Sequence, residues 1–218
     1  MTITQISLWV IVALTLIFIA NKYGGKKNNS LHALAKEGKC ERLEEVLRNN
    51  AQVDKQNKHG MTPLHVAVLY NHVACVELLL GAAANANLAG EEGDTPLHSA
   101  VDTSKEMVEL LLKHKAKVTT KNDYGSTALQ DAVARPDNLE IVKLLLAHGA
   151  KLDDTNKYGN TLLHEATLNE GTLDTVKFLV DQGLDMHAKN ADGQTPLEFA
   201  LENENYEVVD YLDALDLS

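Results

Sequence analysis

Residues 60–67 read Gly-Met-Thr-Pro-Leu-His-Val-Ala, and the phrase returns four times down the chain. It recurs as Gly-Asp-Thr-Pro-Leu-His-Ser-Ala at 93–100 and as Gly-Ser-Thr-Ala-Leu-Gln-Asp-Ala at 125–132. Gly-Asn-Thr-Leu-Leu-His-Glu-Ala follows at 159–166, then Gly-Gln-Thr-Pro-Leu-Glu-Phe-Ala at 193–200. The glycines stand 33, 32, 34 and 34 residues apart. Self-similarity at that period signals a stack of small supersecondary units. A second block trails each phrase: VELLL at 76–80 and 108–112, VKLLL at 142–146, VKFLV at 176–180 and VVDYL at 208–212.

One unit can be read physically. Thr62 is a good N-cap, and Pro63 falls at the first helical position, where its missing N–H costs nothing. Pro96 and Pro196 occupy the same place. Leu64, Ala67 and Val68 lie at i, i+3, i+4 on one face of a first short helix, and Val76, Leu79 and Leu80 do the same for a second. Ala67, Ala100, Ala132, Ala166 and Ala200 form a column of small side chains where helices must approach closely. Neither helix is long enough to stand alone, so stacking must supply the continuous core.

This pattern resembles the ankyrin repeat over residues 30–218. The resemblance implies an all-α solenoid of about six helix-turn-helix repeats. An N-terminal cap spans 30–59, repeats cover 60–92, 93–124, 125–158 and 159–192, and a C-terminal cap spans 193–218. The first hairpin departs from the pattern, because Ser30-Leu31-His32 lacks Thr-Pro and Leu34 replaces the column alanine. Both end hairpins are expected to turn polar faces outward, as solenoid caps require. The resemblance further implies that the loops before each glycine project as hairpins and, with the first helices, form a concave binding surface.

The spacings add one regularity. Thr to column Ala is always five residues, second-helix Val to the end of its block eight, and from there to the next Gly nine. All length variation therefore falls in the turn between paired helices, near Tyr70, Asp102, Arg135 and Asn169.

The residue after each His-like position should look toward the first-helix side: Val66, Ser99, Asp131, Glu165 and Phe199. Tyr70, Asp102, Arg135, Leu168 and Glu202 come further along the same helices. The middle of this strip is acidic, and its ends carry exposed apolar or aromatic groups. Tyr124 and Tyr158 stand at equivalent hairpin tips, each just before a repeat glycine. The protein-binding set read from the sequence is thus Tyr70, Asp102, Tyr124, Asp131, Tyr158, Glu165 and Phe199. Exposed aromatic groups at such places are hot-spot candidates, whereas acids there can equally be solvated dressing.

Other chemistry finds no support. His32, His65, His98 and His164 form a column, but packed helices 8–10 Å apart cannot share one metal between repeats. Imidazoles hydrogen-bonded at helix starts explain them better. His164-Glu165 begins an HExxH-like string, but Leu168 stands where the second His belongs. Residues 190–193 imitate part of a calcium loop, yet Ala188 and Phe199 fall at its first and twelfth positions and cannot ligate. The sequence therefore points to no enzyme, metal, cofactor or small-molecule substrate.

The chain has 218 residues and a formal net charge of -11. Residues 1–27 carry Lys22, Lys26 and Lys27 and no acid, so the remainder stands at -14. A stack that acidic repels phosphate backbones, which argues against nucleic acid and for a protein partner with a basic patch. Cys40 and Cys75 read as two small half-buried hydrophobes, and their scarcity suits a reducing compartment.

Residues 3–20 (ITQISLWVIVALTLIFIA) are uncharged and long enough to cross a bilayer, with Trp9 and Tyr23 toward the two interfaces. The expectation is a transmembrane or signal-anchor helix at 1–21, a flexible linker at 22–29, and repeats held in the cytoplasm by the three lysines. A cleaved signal peptide and a buried helix are the competing readings. The first lacks a basic n-region and a good cleavage site, and the second lacks a polar face. The function expected is a non-catalytic adaptor tethered to a membrane. The alternative is an inhibitor or protective partner of one enzyme, secreted if the first segment is cleaved.

Overall fold

A computed structural model describes residues 30–49 and 51–217. The anchor segment and linker expected at 1–29 lie outside the described residues. No described helix is long and apolar enough to cross a membrane.

Among the described residues, six helical hairpins follow one another. They pair α1 (Leu31–Glu37) with α2 (Cys40–Arg48), α3 (Pro63–Leu69) with α4 (Val73–Gly81), and α5 (Pro96–Ala100) with α6 (Lys105–Lys113). Next come α7 (Ala128–Val133) with α8 (Leu139–Ala147), α9 (Leu162–Ala166) with α10 (Leu173–Asp181), and α11 (Pro196–Glu202) with α12 (Tyr206–Asp216). Within each hairpin the two helices pack together; each first helix also packs on the next first helix, and the second helices pack as α2 on α4, α6 on α8, α8 on α10 and α10 on α12. Two layers result, one of first helices and one of second helices, with the core between them.

The sequence explains why each first helix starts where it does. Thr62, Thr95, Thr127, Thr161 and Thr195 are the N-caps, all extended, and Pro63, Pro96 and Pro196 open their helices. With five to seven residues each, these helices depend on packing rather than propensity. The alanine column supplies it: all five are fully buried, beside Leu64, Leu97, Leu129 and Leu163. Burial of Val76, Leu79, Val108, Leu111, Val142, Leu145, Val176 and Leu179 from the second layer closes the core.

Two expectations need correction. Cys40 and Cys75 are not separate thiols: they form a disulfide between α2 and α4, with Cα atoms 5.0 Å apart. The periodic pattern hides this, because Cys40 opens its helix and Cys75 is the third residue of its own. The last hairpin's outer face is also not wholly polar. Leu201 occupies the place of the buried Val68, Val101, Val133 and Thr167, yet it is 48% exposed because no following described hairpin covers it.

Candidate functional site

The chain's first-helix side and hairpin tips are held in place by two hydrogen-bond ladders. The first is built on the histidine column. His65, His98 and His164 accept the backbone N–H of Thr62, Thr95 and Thr161 on Nδ1, at 3.1–3.2 Å. Since Nδ1 accepts, the neutral ring carries its proton on Nε2. Nε2 then donates across the repeat boundary to the carbonyls of Asp94, Ser126 and Gln194, at 3.1, 3.1 and 3.0 Å. Each ring therefore caps its own helix and ties it to the next hairpin. Burial pushes all three imidazoles below their usual pKa.

The two departures from histidine follow the same logic. Gln130 accepts from Thr127 N–H at 3.1 Å and donates to the Asn160 carbonyl at 3.3 Å, so its amide does both jobs without titrating. Glu198 accepts from Thr195 N–H at 2.8 Å and has no donor to offer a further repeat. This bond holds its carboxyl below the ordinary range.

The second ladder was not read from the sequence. Asn57, Asn122, Asn156 and Asn190 each stand three residues before a repeat glycine. Their side-chain oxygens each accept two backbone N–H groups inside the hairpin, those of residues 59 and 61, 124 and 126, 158 and 160, and 192 and 194. The spacing was visible, and it is the Asx-turn signal for a shaped tip. Gly90 takes this place in the second hairpin, whose tip turns instead through a short 3₁₀ segment, Glu91–Gly93.

Backbone bonds then join neighbouring tips. Asp123, Lys157 and Ala191 donate to the carbonyls of Glu92, Tyr124 and Tyr158, each at 2.9 Å. The approach is close enough to require glycine: a Cβ on Gly159, at φ +73°, would lie 2.9 Å from Ala191 N.

On this scaffold Tyr124 and Tyr158 are 36% and 49% exposed. The Lys157 ammonium sits between them, 4.2 Å from one ring centroid and 5.2 Å from the other. A hydrogen bond to the Glu92 carboxylate pushes the Tyr124 phenol above its usual pKa. Tyr70, 43% exposed, lies at the other end of the stack, with Lys36 5.3 Å from its ring.

The first-helix strip is less uniform than the pattern suggested. Val66 is buried rather than exposed, and Phe199 is half-buried with its edge against the His164 ring, 5.7 Å between centroids. Asp102 is engaged by Arg135 of the next hairpin through two bonds of 2.6 and 3.1 Å. Glu165 is half-buried and accepts from Asn156 and Asn160 at 2.7 and 2.9 Å. Burial raises its pKa against the pull of those two bonds. Asp131 is half-buried too, and burial together with Asp94, Asp102 and Glu165 pushes its carboxyl up to about 7.

Asp94, His98 and Asp131 bring potential ligand atoms within 4.8 Å of one another. Both His98 nitrogens already serve Thr95 and Ser126, so a cation would have to break the cap to bind there.

The whole arrangement matches the family model described as ankyrin repeats (3 copies), at residues 16–89, 31–122, 75–156, 107–190 and 129–216. Among curated proteins, the chain is 36% identical over 106 residues to ankyrin repeat and SOCS box protein 11 of Homo sapiens, covering 48% of this chain and 32% of that one. It is 40% identical over 100 residues to the ANK repeat-containing protein nipk-1 of Caenorhabditis elegans, covering 43% and 16%. The chain thus spans a third or less of these relatives' length. Similarity to two solved structures extends further. One is a chain from the complex of the predatory endopeptidase Bd0816 from Bdellovibrio bacteriovorus with immunity protein Bd3460. The TM-score is 0.75 and the identity 28%, over 85% of this chain and 97% of that one. The other is EF0377, an ankyrin repeat protein, at TM-score 0.73 and 30% identity over 84% and 96%.

Proposed function

From the premise that this chain belongs to the ankyrin repeat proteins, we propose that it is a non-catalytic module that binds another protein along its hairpin tips and first-helix side. The observation that carries the reading is the Tyr124–Lys157–Tyr158 row. Two large exposed rings are held at fixed spacing by backbone bonds between tips. Rings already ordered before contact lose little entropy on binding, which is what a hot spot needs. The acidic balance of the stack favours a partner with a basic patch.

The test is recovery of the partner from mild detergent with identification by mass spectrometry, followed by binding kinetics. Tyr124→Ala and Tyr158→Ala should each weaken binding by about 1–2 kcal/mol or more, with melting temperatures unchanged. Wild-type affinity in both variants would move the site to another face.

A second reading has its own support. The likeness runs over nearly the whole of a chain from an endopeptidase–immunity protein complex, so this chain is a candidate inhibitor or protective partner of one enzyme. Removing it from its host should then release an enzyme activity, whereas an adaptor's removal should change only its partner's location. Residues 3–20 are proposed to tether the adaptor to a membrane, with the encoded N-terminus persisting on the isolated protein, whereas the second reading makes the module secreted if that segment is cleaved.

A further inference from the structure

The first hairpin, an end unit, is held less firmly than the hairpin it packs on. Its buried apolar set is Leu31, Leu34, Ala35 and Leu43, about half of what the second hairpin contributes between Leu64 and Leu80. It lacks the Thr-Pro start that opens the second. Among the described residues, its helices pack on each other and on α3 and α4 alone. In a solenoid, stability comes from each unit plus its interfaces, so an end unit with one interface frays first. The cross-link lies at this boundary, joining α2 of the first hairpin to α4 of the second across a separation of 35 residues.

Cys75 is fully buried and Cys40 half-buried, so neither oxidant nor reductant reaches the bond freely once the hairpins dock. Cytosolic glutathione and thioredoxin hold newly made thiols reduced, whereas oxidising compartments supply enzymes that pair them. We propose that the Cys40–Cys75 bond is installed by a thiol–disulfide oxidoreductase on the non-cytosolic side of a membrane, and that it fastens the N-terminal hairpin to the stack. The two thiols lose two protons and two electrons as the S–S bond forms, and the oxidoreductase's own disulfide takes them up as two thiols. This puts the repeats on the opposite side from the one that Lys22, Lys26 and Lys27 favour. A bias of three charges yields here to a cross-link that a reducing cytosol would not install.

The experiment uses the full chain in the cells that make it. Acid quenching, denaturation and a polymer-linked maleimide should add nothing before reduction and two labels after it. Two labels without prior reduction would overturn the compartment. Hydrogen exchange on the purified chain in mild detergent, with and without reductant, then tests the fastening. Amides of residues 31–48 should exchange about tenfold faster or more on reduction, while those of 96–181 stay unchanged. The double variant Cys40→Ser with Cys75→Ser should reproduce the reduced pattern. Unchanged or uniformly faster exchange on reduction would overturn the fastening role. Partner binding is not read in either measurement, so failure here is separate from failure of the binding assignment.

Discussion

Asp131→Asn tests the reading of the first-helix strip. Asp131 sits in α7 near Asp94, Asp102 and Glu165, and the nearest opposing cation, Arg135, is already held by Asp102. Its carboxyl rises from an ordinary 3.8 to about 7. The folded state therefore binds this proton more tightly than the unfolded state does. The stabilisation is fully present below the unfolded value near 3.8 and is lost as pH climbs through about 7. Three units at about 1.4 kcal/mol each would set a ceiling of roughly 4 kcal/mol. The side chain keeps some solvent contact, which screens the effect, so about 1–2 kcal/mol is expected between pH 5 and 8. Asparagine has the same shape and no charge to bury. Urea melts of both proteins at the two pH values read the effect, together with any change it brings to His98, which lies within 4.8 Å of the same carboxylate. The variant should gain about 0.5–1 M in midpoint relative to wild type on going from pH 5 to 8, taking a slope near 2 kcal/mol/M. A difference that stays constant across pH, or one that shrinks, would refute the claim that Asp131 is ionised at the fold's expense.

Other outcomes follow from the same geometry. Ala132→Leu should cost about 1–3 kcal/mol in a denaturant melt, since the fully buried alanine column has no room for three more carbons, and an unchanged midpoint would remove that column from the core. His98→Gln should preserve the cap and the bond to Ser126, as Gln130 does naturally, with a loss below about 1 kcal/mol near pH 8. Because burial lowers the His98 pKa, its contribution is complete above about 6.5 and fades as pH falls, so the glutamine variant should overtake wild type in acid. Gly159→Ala should destabilise more than any surface change in the same loop, as read by melting temperature, because its φ is positive and Ala191 N blocks the new methyl group.

Much of the fold was legible because it rests on local, periodic chemistry. Thr62 or Thr161 needs only the next three residues to act as a cap, and the alanine column needs only the repeat period. Cys40 and Cys75 were opaque for the opposite reason. Their pairing depends on how α2 crosses α4, which brings a first helical residue against a third, and no alignment of equivalent positions can show that.

The binding strip divides along the same line. The exposure of Tyr124 and Tyr158 was legible because a hairpin tip is exposed wherever its own short turn places it. Asp131 and Phe199 could not be judged so simply, since their surroundings come from neighbouring repeats: Asp94, Asp102 and Glu165 for the one, the His164 ring for the other. Val66 is buried although its place in the phrase is that of the half-exposed Ser99 and Glu165. Register assigns a side chain to a side of the stack, but adjacent units decide how much water it sees. The asparagine ladder stands between these cases. Its four members recur at a fixed distance before the glycine, and what they do follows from ordinary turn chemistry, so that signal was present and unread. It matters for function because those side chains shape the tips that carry the tyrosines. On the proposed site, a partner gripping Tyr124 and Tyr158 would therefore depend on Asn122 and Asn156 without touching them.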